Sequence, residues 1–407
     1  MNEAKTLGIP TYDVAVAGSG FAGLALAAAL AKAGLAVLVA DPASAETLTA
    51  QGYDGRASAM ALASIRLLRE LDAWDDGNSQ PIQDIRVSDG ESLMFVHYDS
   101  RRLGGEPFGA LIENRFLRAR LFSAATAAGA TVRGGTGIAR VVPDAFGAEV
   151  VLSNGDRVRA RLVVAADGAR SGLRTMAGIG VRGWRYRQTG IVLTVAHERP
   201  HGGIAHERFL PNGPFAILPL PGNRSSLVWT EREDTAPAIL ALSPDRFLEE
   251  LRARFGDFLG DVTVTGPRWH YPLALQQAQR YTADRLVLIG DAAHVMHPIA
   301  GQGLNLGLRD VAALAEVVVD AARLGLDFGA ADVLDRYQRW RRADSLTLLT
   351  VTDSLNRLFA TDFAPVRMVR DIGLGVVNQI EPLKRLLSAH AQGTVGKLPR
   401  LNAGQPL

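Results

Sequence analysis

The feature that most constrains this chain is a glycine turn between an apolar strand and an Ala-rich helix near the N-terminus. Residues 12–17 read as a buried strand, and residues 18–23, GSGFAG, match the pattern GxGxxG. A segment of high helix propensity follows, and a second apolar strand ends at Asp41. This strand–turn–helix–strand order predicts a βαβ unit and therefore a parallel sheet.

The spacing of the glycines is typical of a dinucleotide site. Gly18 permits the tight turn, Gly20 lets the backbone approach a pyrophosphate, and Gly23 lets the helix pack closely on the strand. Asp41 is placed to accept hydrogen bonds from a ribose diol. A structural βα turn is the alternative interpretation, and the pattern does not separate NAD from FAD. The residues expected at the pyrophosphate are Gly18, Gly20, Phe21, Ala22 and Gly23.

A second polar segment follows the buried strand at residues 162–166. Asp167 and Gly168 come directly after this strand, at the edge where α/β sheets bind ligands. Arg170 and Arg174 are then placed to meet phosphate. An Asp N-cap beside solvent-exposed Arg explains the same residues equally well. The segment therefore supports a ligand site only in combination with the glycine turn.

A third segment, GDAAHVMHPIAGQGLNLGL, begins where another buried strand ends. Asp291, after Gly290, can accept a hydrogen bond from a polyol hydroxyl. The glycine-bearing loop then leads into a long helix, whose N-terminus stabilises negative charge. Reduced flavin carries such charge on its pyrimidine, so the segment favours FAD. The loop and the helix start contain Gly301, Gly303, Leu304 and Asn305, and this arrangement suits an isoalloxazine ring.

Two histidines in the third segment invite a metal or general-base interpretation. His294 and His297 lack a third ligand at suitable spacing, so no metal site is predicted. We expect His294 to shape the loop by packing or capping. His294 and Pro298 remain candidates for a position near the ring, but no catalytic role is assigned to either residue. The flavin itself would perform the chemistry.

Composition narrows the class of protein further. The 407 residues suggest two domains, and 47% hydrophobic with 21% charged residues is typical of a globular protein. The formal net charge of +2 favours no nucleic-acid partner. The absence of cysteine excludes disulfides and iron–sulfur ligation. The N-terminus does not resemble a secretory signal, and we expect a cytoplasmic protein.

The strand pattern changes along the chain, which predicts two interleaved domains. Residues 56–73 read as a helix, whereas residues 189–230 contain short β-prone runs separated by Pro and Gly turns. We therefore predict an α/β fold in which a Rossmann-like FAD-binding domain with a parallel sheet is interleaved with a largely antiparallel substrate domain and followed by a helical C-terminal tail. The predicted ranges are 1–80, 104–180 and 280–345 for the FAD-binding domain, 81–103 and 181–279 for the substrate domain, and 346–407 for the C-terminal region.

The three motif segments occur in the order seen in the flavoprotein aromatic hydroxylases, and the chain resembles this family, which has the fold of para-hydroxybenzoate hydroxylase. The segments HERFLPNGPFAILPL and SSLVWTE are similar to the ubiquinone-biosynthesis branch. The resemblance implies an FAD-dependent monooxygenase that hydroxylates the ring of a polyprenylated phenol with molecular oxygen, through reduced flavin and a C4a-hydroperoxyflavin. NAD(P)H, or a reductase or ferredoxin partner, would supply the electrons.

The resemblance also implies roles for individual residues. Arg56 would lie near the FAD phosphate and ribitol, and Asp291 would bind the ribitol. Gly303, Leu304 and Asn305 would sit against the flavin pyrimidine. Asn114 stands where related enzymes place Arg or Gln against the cofactor. Asp167 would touch both the cofactor and the backbone of its own motif. Asp41 occupies a position that is more often Glu in this branch, so its shorter side chain would reach the ribose through water.

Alternatives to this function and a question about the tail stay open. The same fold would also suit a hydroxylase of a small soluble phenol, or a non-catalytic flavin-bound scaffold of a quinone-biosynthesis complex. In the tail, apolar residues from Val366 to Leu387 recur near helical spacing beside basic residues. This helix either contacts a membrane surface or a partner protein, or packs on the body with its Arg side chains in solvent.

Overall fold

Two large sheets and a small one organise the residues that the computed structural model describes, namely 9–50, 52–90, 95–297, 301–359 and 380–407. The strands, in chain order, are β1 Thr11–Ala17, β2 Val37–Asp41, β3 Ala57–Ala61, β4 Ser79–Ile82, β5 Asp84–Asp89, β6 Phe95–Asp99, β7 Gly109–Glu113, β8 Thr131–Gly134, β9 Ile138–Asp144, β10 Gly147–Leu152, β11 Arg157–Ala165, β12 Val181–His197, β13 Ile204–Leu210, β14 Gly213–Leu220, β15 Arg224–Arg232, β16 Val262–Ala278, β17 Thr282–Ala283, β18 Leu286–Leu288 and β19 His294–Val295. The α-helices are α1 Phe21–Lys32, α2 Ala45–Thr49, α3 Leu62–Glu70, α4 Ser100–Leu103, α5 Asn114–Ala127, α6 Gly172–Met176, α7 Ala236–Leu240, α8 Pro244–Phe255, α9 Gln302–Arg323, α10 Ala331–Phe359 and α11 Glu381–Ala391.

The first sheet has the parallel arrangement that the glycine turn predicts. Its strand order is β17-β18-β11-β1-β2-β8, and the pairs from β18 to β8 are parallel, while β9 and β10 extend β11 as an antiparallel meander. Helix α1 is buried from Gly23 to Ala31 because its Ala and Leu residues pack on the sheet and on neighbouring helices. Because α1 is apolar on all sides, it is suited to this buried position.

The second sheet is largely antiparallel, and its strands alternate between two environments. Its order is β19-β16-β12-β15-β14-β13-β5-β6, with only the β13–β5 pair parallel among the described strands. Ile191, Leu193 and Val195 of β12 point to one face and pack against Phe247 and Leu251 of α8. The opposite face packs, through Ala205 and Leu220, on the small sheet. The predicted fold class is thereby confirmed.

The prediction of one helix over residues 56–73 is wrong at its beginning. Residues 57–61 form strand β3, which pairs with β7 in the small sheet β3-β7-β4, and only Leu62–Glu70 is helical. The segment is rich in Ala, whose helix propensity is high, but the ladder to β7 overrides that local preference.

The described residues of the C-terminal region include α10 and α11, in agreement with the predicted helical tail. The tail residues from Val366 to Val377 lie outside the described residues. At the start of the next described segment, Ile380, Leu386 and Leu387 are exposed. Within the described ranges, every helix is too short or too polar to cross a membrane.

Candidate functional site

The three polar segments follow three adjacent parallel strands and meet at one edge of the first sheet. Ala17 at the end of β1 pairs in register with Ala165 of β11, and Ala165 pairs with Leu288 of β18. The glycine turn, the Asp167 segment and the Asp291 segment therefore leave the sheet side by side. Ligands of open α/β sheets bind at this carboxyl edge.

The glycines of the turn have the distinct surroundings that a dinucleotide requires. A Cβ on Gly18 would lie 2.5 Å from the carbonyl oxygen of Ala166, and its φ is +100°. A Cβ on Gly23 would lie 2.0 Å from the carbonyl oxygen of Gly18, so helix and strand touch through backbone. At Gly20 nothing lies within 4 Å of the corresponding position. The turn is therefore closed on its protein side and open where a phosphate would approach.

Helix α1 begins in this turn without a side-chain cap, with Gly20 as its N-cap residue. Its first N–H groups are therefore available to a ligand. Asp41, at the end of β2, lies beside the turn, where its Oδ2 accepts hydrogen bonds from the backbone N (2.6 Å) and Oγ (2.7 Å) of Ser19. Its Oδ1 accepts one from the backbone N of Ala43 at 2.8 Å. Asp41 thus holds the turn, and the remaining lone pairs of its carboxylate can accept hydrogen bonds from a ribose.

Asp167 carries a buried acceptor that the surrounding protein leaves unsatisfied. Its Oδ2 accepts a hydrogen bond from the backbone N of Leu173 at 3.2 Å, whereas its buried Oδ1 has no partner among the described residues. A buried carboxylate oxygen without a partner is costly unless a ligand supplies one. This is the position at which the sequence predicts contact with both the motif and the cofactor.

The two arginines of the same segment do not share one role. Arg174 is buried and donates to the carbonyl oxygens of Ala292 (2.9 Å) and Ala169 (2.8 Å), so it joins the second and third segments. The interpretation of Arg174 as a phosphate ligand is therefore wrong, because its guanidinium is committed to backbone. Arg170 is exposed.

Asp291 lies in a recess at the end of the third strand. Solvent reaches its side chain, but the protein around it raises the pKa of the carboxyl, and the nearby charge of His294 opposes this only in part. Gly290 has a φ of +57°, and a Cβ there would lie 3.4 Å from Cβ of Ala22. The third segment therefore abuts the start of α1, and Asp291 is available to a polyol hydroxyl.

His294 is turned into the protein. It is 2% exposed, and its Nε2 lies 2.6 Å from Oδ2 of Asp310 on α9. Arg341 of α10 donates from Nε to Oδ1 of the same carboxylate at 2.7 Å. Burial would raise the pKa of Asp310, but His294 and Arg341 outweigh it and lower that pKa below its ordinary value. His294 thus connects the loop to α9, and its Nε2 is engaged with Asp310 rather than free to act on a substrate.

The start of α9 is tied to strand β3. Gly301, its N-cap residue, has a φ of +62°, and no side chain caps the helix. Asn305 donates from Nδ2 to the carbonyl oxygens of Ala59 (2.8 Å) and Gly301 (3.0 Å), while its Oδ1 accepts from the backbone N of Ala61 at 2.8 Å. The side chain of Asn305 therefore positions the loop, and the placement of this residue against the flavin remains a prediction. Gly303 and Leu304 occupy the first turn of α9, and Pro298 lies outside the described residues.

Arg56 and Asn114 lie beside the same small sheet. Arg56 pairs with Asp54, with Nη2 and Oδ2 at 2.6 Å, and its guanidinium carbon lies 4.6 Å from the ring centroid of Trp269. Oδ1 of Asn114 accepts a hydrogen bond from Oγ of Ser58 at 2.7 Å. Both residues hold β3 in place, and Arg56 is partly exposed.

Sequence reasoning overlooked Arg118 on α5. Its guanidinium carbon lies 5.9 Å from the ring centroid of Phe21, the first residue of α1. The side chain is partly buried, and no hydrogen bond or ion pair connects it to the described residues. Arg118 comes four residues after Asn114, and residues at this spacing share one face of a helix. The sequence could therefore have placed Arg118 beside Asn114 as a further candidate.

These features fit a flavin adenine dinucleotide: an open glycine turn, an orphaned carboxylate oxygen on Asp167, an accessible carboxylate at Asp291 and an uncapped α9. No group of three or more metal-ligating side chains occurs within the described ranges. The fold and the site define the protein as a flavoprotein oxidoreductase with the cofactor at the carboxyl edge of the parallel sheet.

Comparisons with known proteins agree with this class. Residues 11–350 match the family described as FAD binding domain. Ubiquinone hydroxylase UbiL of Rhodospirillum rubrum is 54% identical over 402 residues, 97% of this chain and 93% of that protein. The 3-demethoxyubiquinol 3-hydroxylase of Escherichia coli is 35% identical over 387 residues, 94% of this chain and 98% of that protein.

A solved structure shares the fold. The p-nitrophenol 4-monooxygenase PnpA from Pseudomonas putida DLL-E4 superposes with a TM-score of 0.80 at 20% identity, over 96% of this chain and 100% of that one. The chain belongs to the FAD-binding monooxygenase family that includes the ubiquinone hydroxylases. The family resemblance drawn from the sequence is confirmed, and the protein is an FAD-dependent aromatic-ring monooxygenase.

Proposed function

We propose that this monooxygenase hydroxylates the aromatic ring of a polyprenylated phenol in ubiquinone biosynthesis, with molecular oxygen as co-substrate. The observation that supports the cofactor part is the convergence of three polar segments on adjacent strand ends, with Oδ1 of Asp167 unpartnered there. The similarity to ubiquinone hydroxylases along nearly the whole chain supports the substrate part.

The residues of this chain would bind and orient the cofactor. The open backbone at Gly20 would admit the pyrophosphate, and Asp41 would hold the adenosine ribose. Asp167 and Asp291 would accept hydrogen bonds from the rest of the dinucleotide, and the start of α9, anchored through Asn305, would face the pyrimidine. Bound and reduced, FAD supplies the chemistry that activates oxygen toward an electron-rich ring.

The assignment of strands to two sheets supports the proposed division of the chain. β5, β6 and the strands from β12 to β16 belong to the second sheet, which would form the substrate domain over 81–103 and 181–279. The remaining ranges, 1–80, 104–180 and 280–345, would form the FAD-binding domain. The second sheet turns one face toward that domain, and the ring to be hydroxylated would lie between them.

The electron donor, the location and the partners follow as parts of the same proposal. NAD(P)H or a reductase or ferredoxin partner would reduce the flavin. The protein would be cytoplasmic. Because a prenylated substrate partitions into the bilayer, the protein would reach the membrane surface peripherally or as part of a quinone-biosynthesis complex. The exposed Ile380, Leu386 and Leu387 around α11 support contact at this end of the chain.

The test is turnover by the purified holoprotein with 2-farnesylphenol as probe and reduced donor supplied. We expect a product heavier by one oxygen atom, labelled when the reaction runs under ¹⁸O₂. Preferential turnover of phenol without the prenyl chain would favour the small-phenol alternative. Reoxidation of the flavin without any hydroxylated product from either probe would contradict the proposal and favour a scaffold role.

A further inference from the structure

One face of the second sheet contacts the segment that leads into β3. Oγ1 of Thr194 on β12 donates to the carbonyl oxygen of Gly55 at 2.9 Å, and Nε1 of Trp269 on β16 donates to that of Asp54 at 2.6 Å. Gly55 and Asp54 immediately precede Arg56 and β3. Side chains in register with Thr194 and Trp269 therefore point toward the cofactor-binding half of the molecule.

Glu207 lies on this face of the sheet. Trp269 pairs with Val192, and the same row continues across the sheet through Val228 and Ala216 to Glu207 on β13. The next residue, Arg208, points the other way, because its Nη1 donates to the carbonyl oxygen of Arg254 on α8 at 2.6 Å. The alternation of β13 therefore places the Glu207 carboxylate in an otherwise apolar row, on the sheet face that contacts the segment before β3.

The surroundings of Glu207 leave its carboxylate without a stabilising partner. No hydrogen bond or ion pair connects the carboxylate to any residue in the described part of the chain, and burial raises its pKa to about 7. From the neighbouring strand β5 and from β6 beyond it, the titratable groups on the same face are Asp89 and Tyr98, and burial raises the pKa of Tyr98 to about 12. Strand β14 contributes Ala216 and other apolar side chains. A carboxylate kept in such surroundings is typical of a proton acceptor.

The strand face that carries Glu207 packs on a cluster that reaches β3. Ala205, two residues earlier on the same face, belongs to an apolar cluster that includes Ala59 of β3. Cβ of Ala59 lies 3.0 Å from the position of a Cβ on Gly301, the N-cap residue of α9. Residues i and i+2 of a strand lie about 7 Å apart on the same face, so Glu207 is the next side chain after Ala205 on the face that this cluster covers.

We propose that Glu207 is a catalytic residue that accepts the proton of the phenolic hydroxyl of the substrate. This inference rests on the proposed function. The O–H bond of the phenol breaks, its electron pair stays on the phenolate oxygen, and a new O–H bond forms on the Glu207 carboxylate. Nothing is oxidised in this step. The phenolate is more electron-rich than the phenol, so its ring is more reactive toward the activated oxygen, and the proton returns to the oxygen when the ring regains aromaticity.

The test compares wild-type holoprotein with Glu207→Gln, using 2-farnesylphenol as probe across a range of pH. Glu249→Gln is the matched control, because it replaces the same carboxylate with the same amide at an exposed position. Glu249 lies on α8, on the opposite side of the sheet. In the wild type the rate of product formation should rise with pH around neutrality. In Glu207→Gln it should fall about 100-fold at neutral pH, as expected for a lost general base.

The pH profile separates a proton acceptor from a merely structural residue. In Glu207→Gln the rise near neutrality should disappear, and the rate should instead follow the ionisation of the free phenol, near pH 10 as for tyrosine. FAD content and flavin reduction should match Glu249→Gln, and the melting temperature should not fall below that of this control. Wild-type rate and an unchanged profile in Glu207→Gln would overturn the assignment of Glu207 alone. Absence of product from the wild type is a different result and would overturn the proposed function together with it.

Discussion

The carboxylate of Asp310 accepts a hydrogen bond from the backbone N–H of Gly290, with Oδ2 and N 3.0 Å apart. The contact joins α9 to Gly290, which lies two residues after the end of β18 and one residue before Asp291. The same carboxylate holds His294 and Arg341, and all these side chains are buried. The third segment is thus fixed from behind by a buried ionic cluster that does not itself face the ligand site.

Asp310→Asn should destabilise the protein and loosen the cofactor. Removal of one member of a buried charge cluster leaves its partners unpaired, which costs about 3 kcal/mol of unfolding free energy. Urea denaturation monitored by circular dichroism measures the change. Asp335→Asn, on the exposed side of α10, is the control and should behave as the wild type. Equal stability of the two variants would contradict the role given to Asp310.

Two glycines of the turn should respond to alanine in opposite ways. Gly20→Ala has free space for its methyl group, so the apoprotein should keep its stability, while FAD affinity falls about tenfold or more because the methyl group occupies the phosphate approach. Gly23→Ala places a methyl group against the carbonyl oxygen of Gly18 and should lower stability by about 2 kcal/mol.

Fluorescence titration with FAD and thermal melting of the apoprotein distinguish these two outcomes. Gly52→Ala, where a methyl group also meets open space, is the matched control for Gly20→Ala. If Gly20→Ala bound FAD as tightly as Gly52→Ala, the pyrophosphate would not lie over this turn.

Asp167→Asn should weaken FAD binding by about tenfold, the equivalent of one hydrogen bond to a charged group. The amide conserves shape, but one of the two carboxylate acceptors becomes a donor. Isothermal titration calorimetry of the apoprotein gives the dissociation constant. Asp156→Asn, in the exposed hairpin between β10 and β11, makes the same change far from the site and should leave the constant unaltered. An unaltered constant in Asp167→Asn would show that its free Oδ1 does not meet the cofactor.

Glu207 should also reveal itself in the pH dependence of stability. Its pKa of about 7 in the folded protein exceeds the value of 4.5 for an ordinary Glu. Folding therefore favours the protonated form of Glu207. Below the pKa of the unfolded state, the carboxyl does not reduce the free energy of unfolding. Part of this free energy is lost as the pH rises through the pKa of the folded state. Relative to wild type, Glu207→Gln should gain on the order of 2 kcal/mol between pH 5 and pH 8. Urea unfolding at both pH values measures the gain, and a difference that stays constant would contradict the raised pKa.

The sequence predicted backbone roles better than side-chain roles. Gly18, Gly20 and Gly23 have the surroundings that the GxGxxG spacing implies, because the constraints on them are local. The side chains of Asn305 and Arg174 bind backbone carbonyl oxygens, which the local sequence pattern does not indicate. Asn305 binds Ala59 of β3, a segment whose local propensity predicts a helix. The hydrogen bond between the two residues therefore could not be predicted from the sequence.

Glu207 shows a second limit of sequence reasoning. Alternation along β13 indicates that Glu207 and Arg208 face opposite ways, but it does not say which face meets the other domain. That choice depends on the pairing of β12 through β15 and on the packing of α8, which are long-range relationships. A lone carboxylate in a strand then looks like an ordinary solvent-facing residue.

The side-by-side strand ends at Ala17, Ala165 and Leu288 also govern when the protein can acquire its cofactor. During synthesis, β1 and α1 leave the ribosome long before β18 and α9, and the parallel partners of β1 are separated from it by long stretches of chain. The newborn chain therefore exposes apolar strand edges until more than two-thirds of it has emerged. Free FAD can bind only after β1, β11 and β18 have paired. We therefore expect the yield of soluble protein to increase with the supply of flavin during growth.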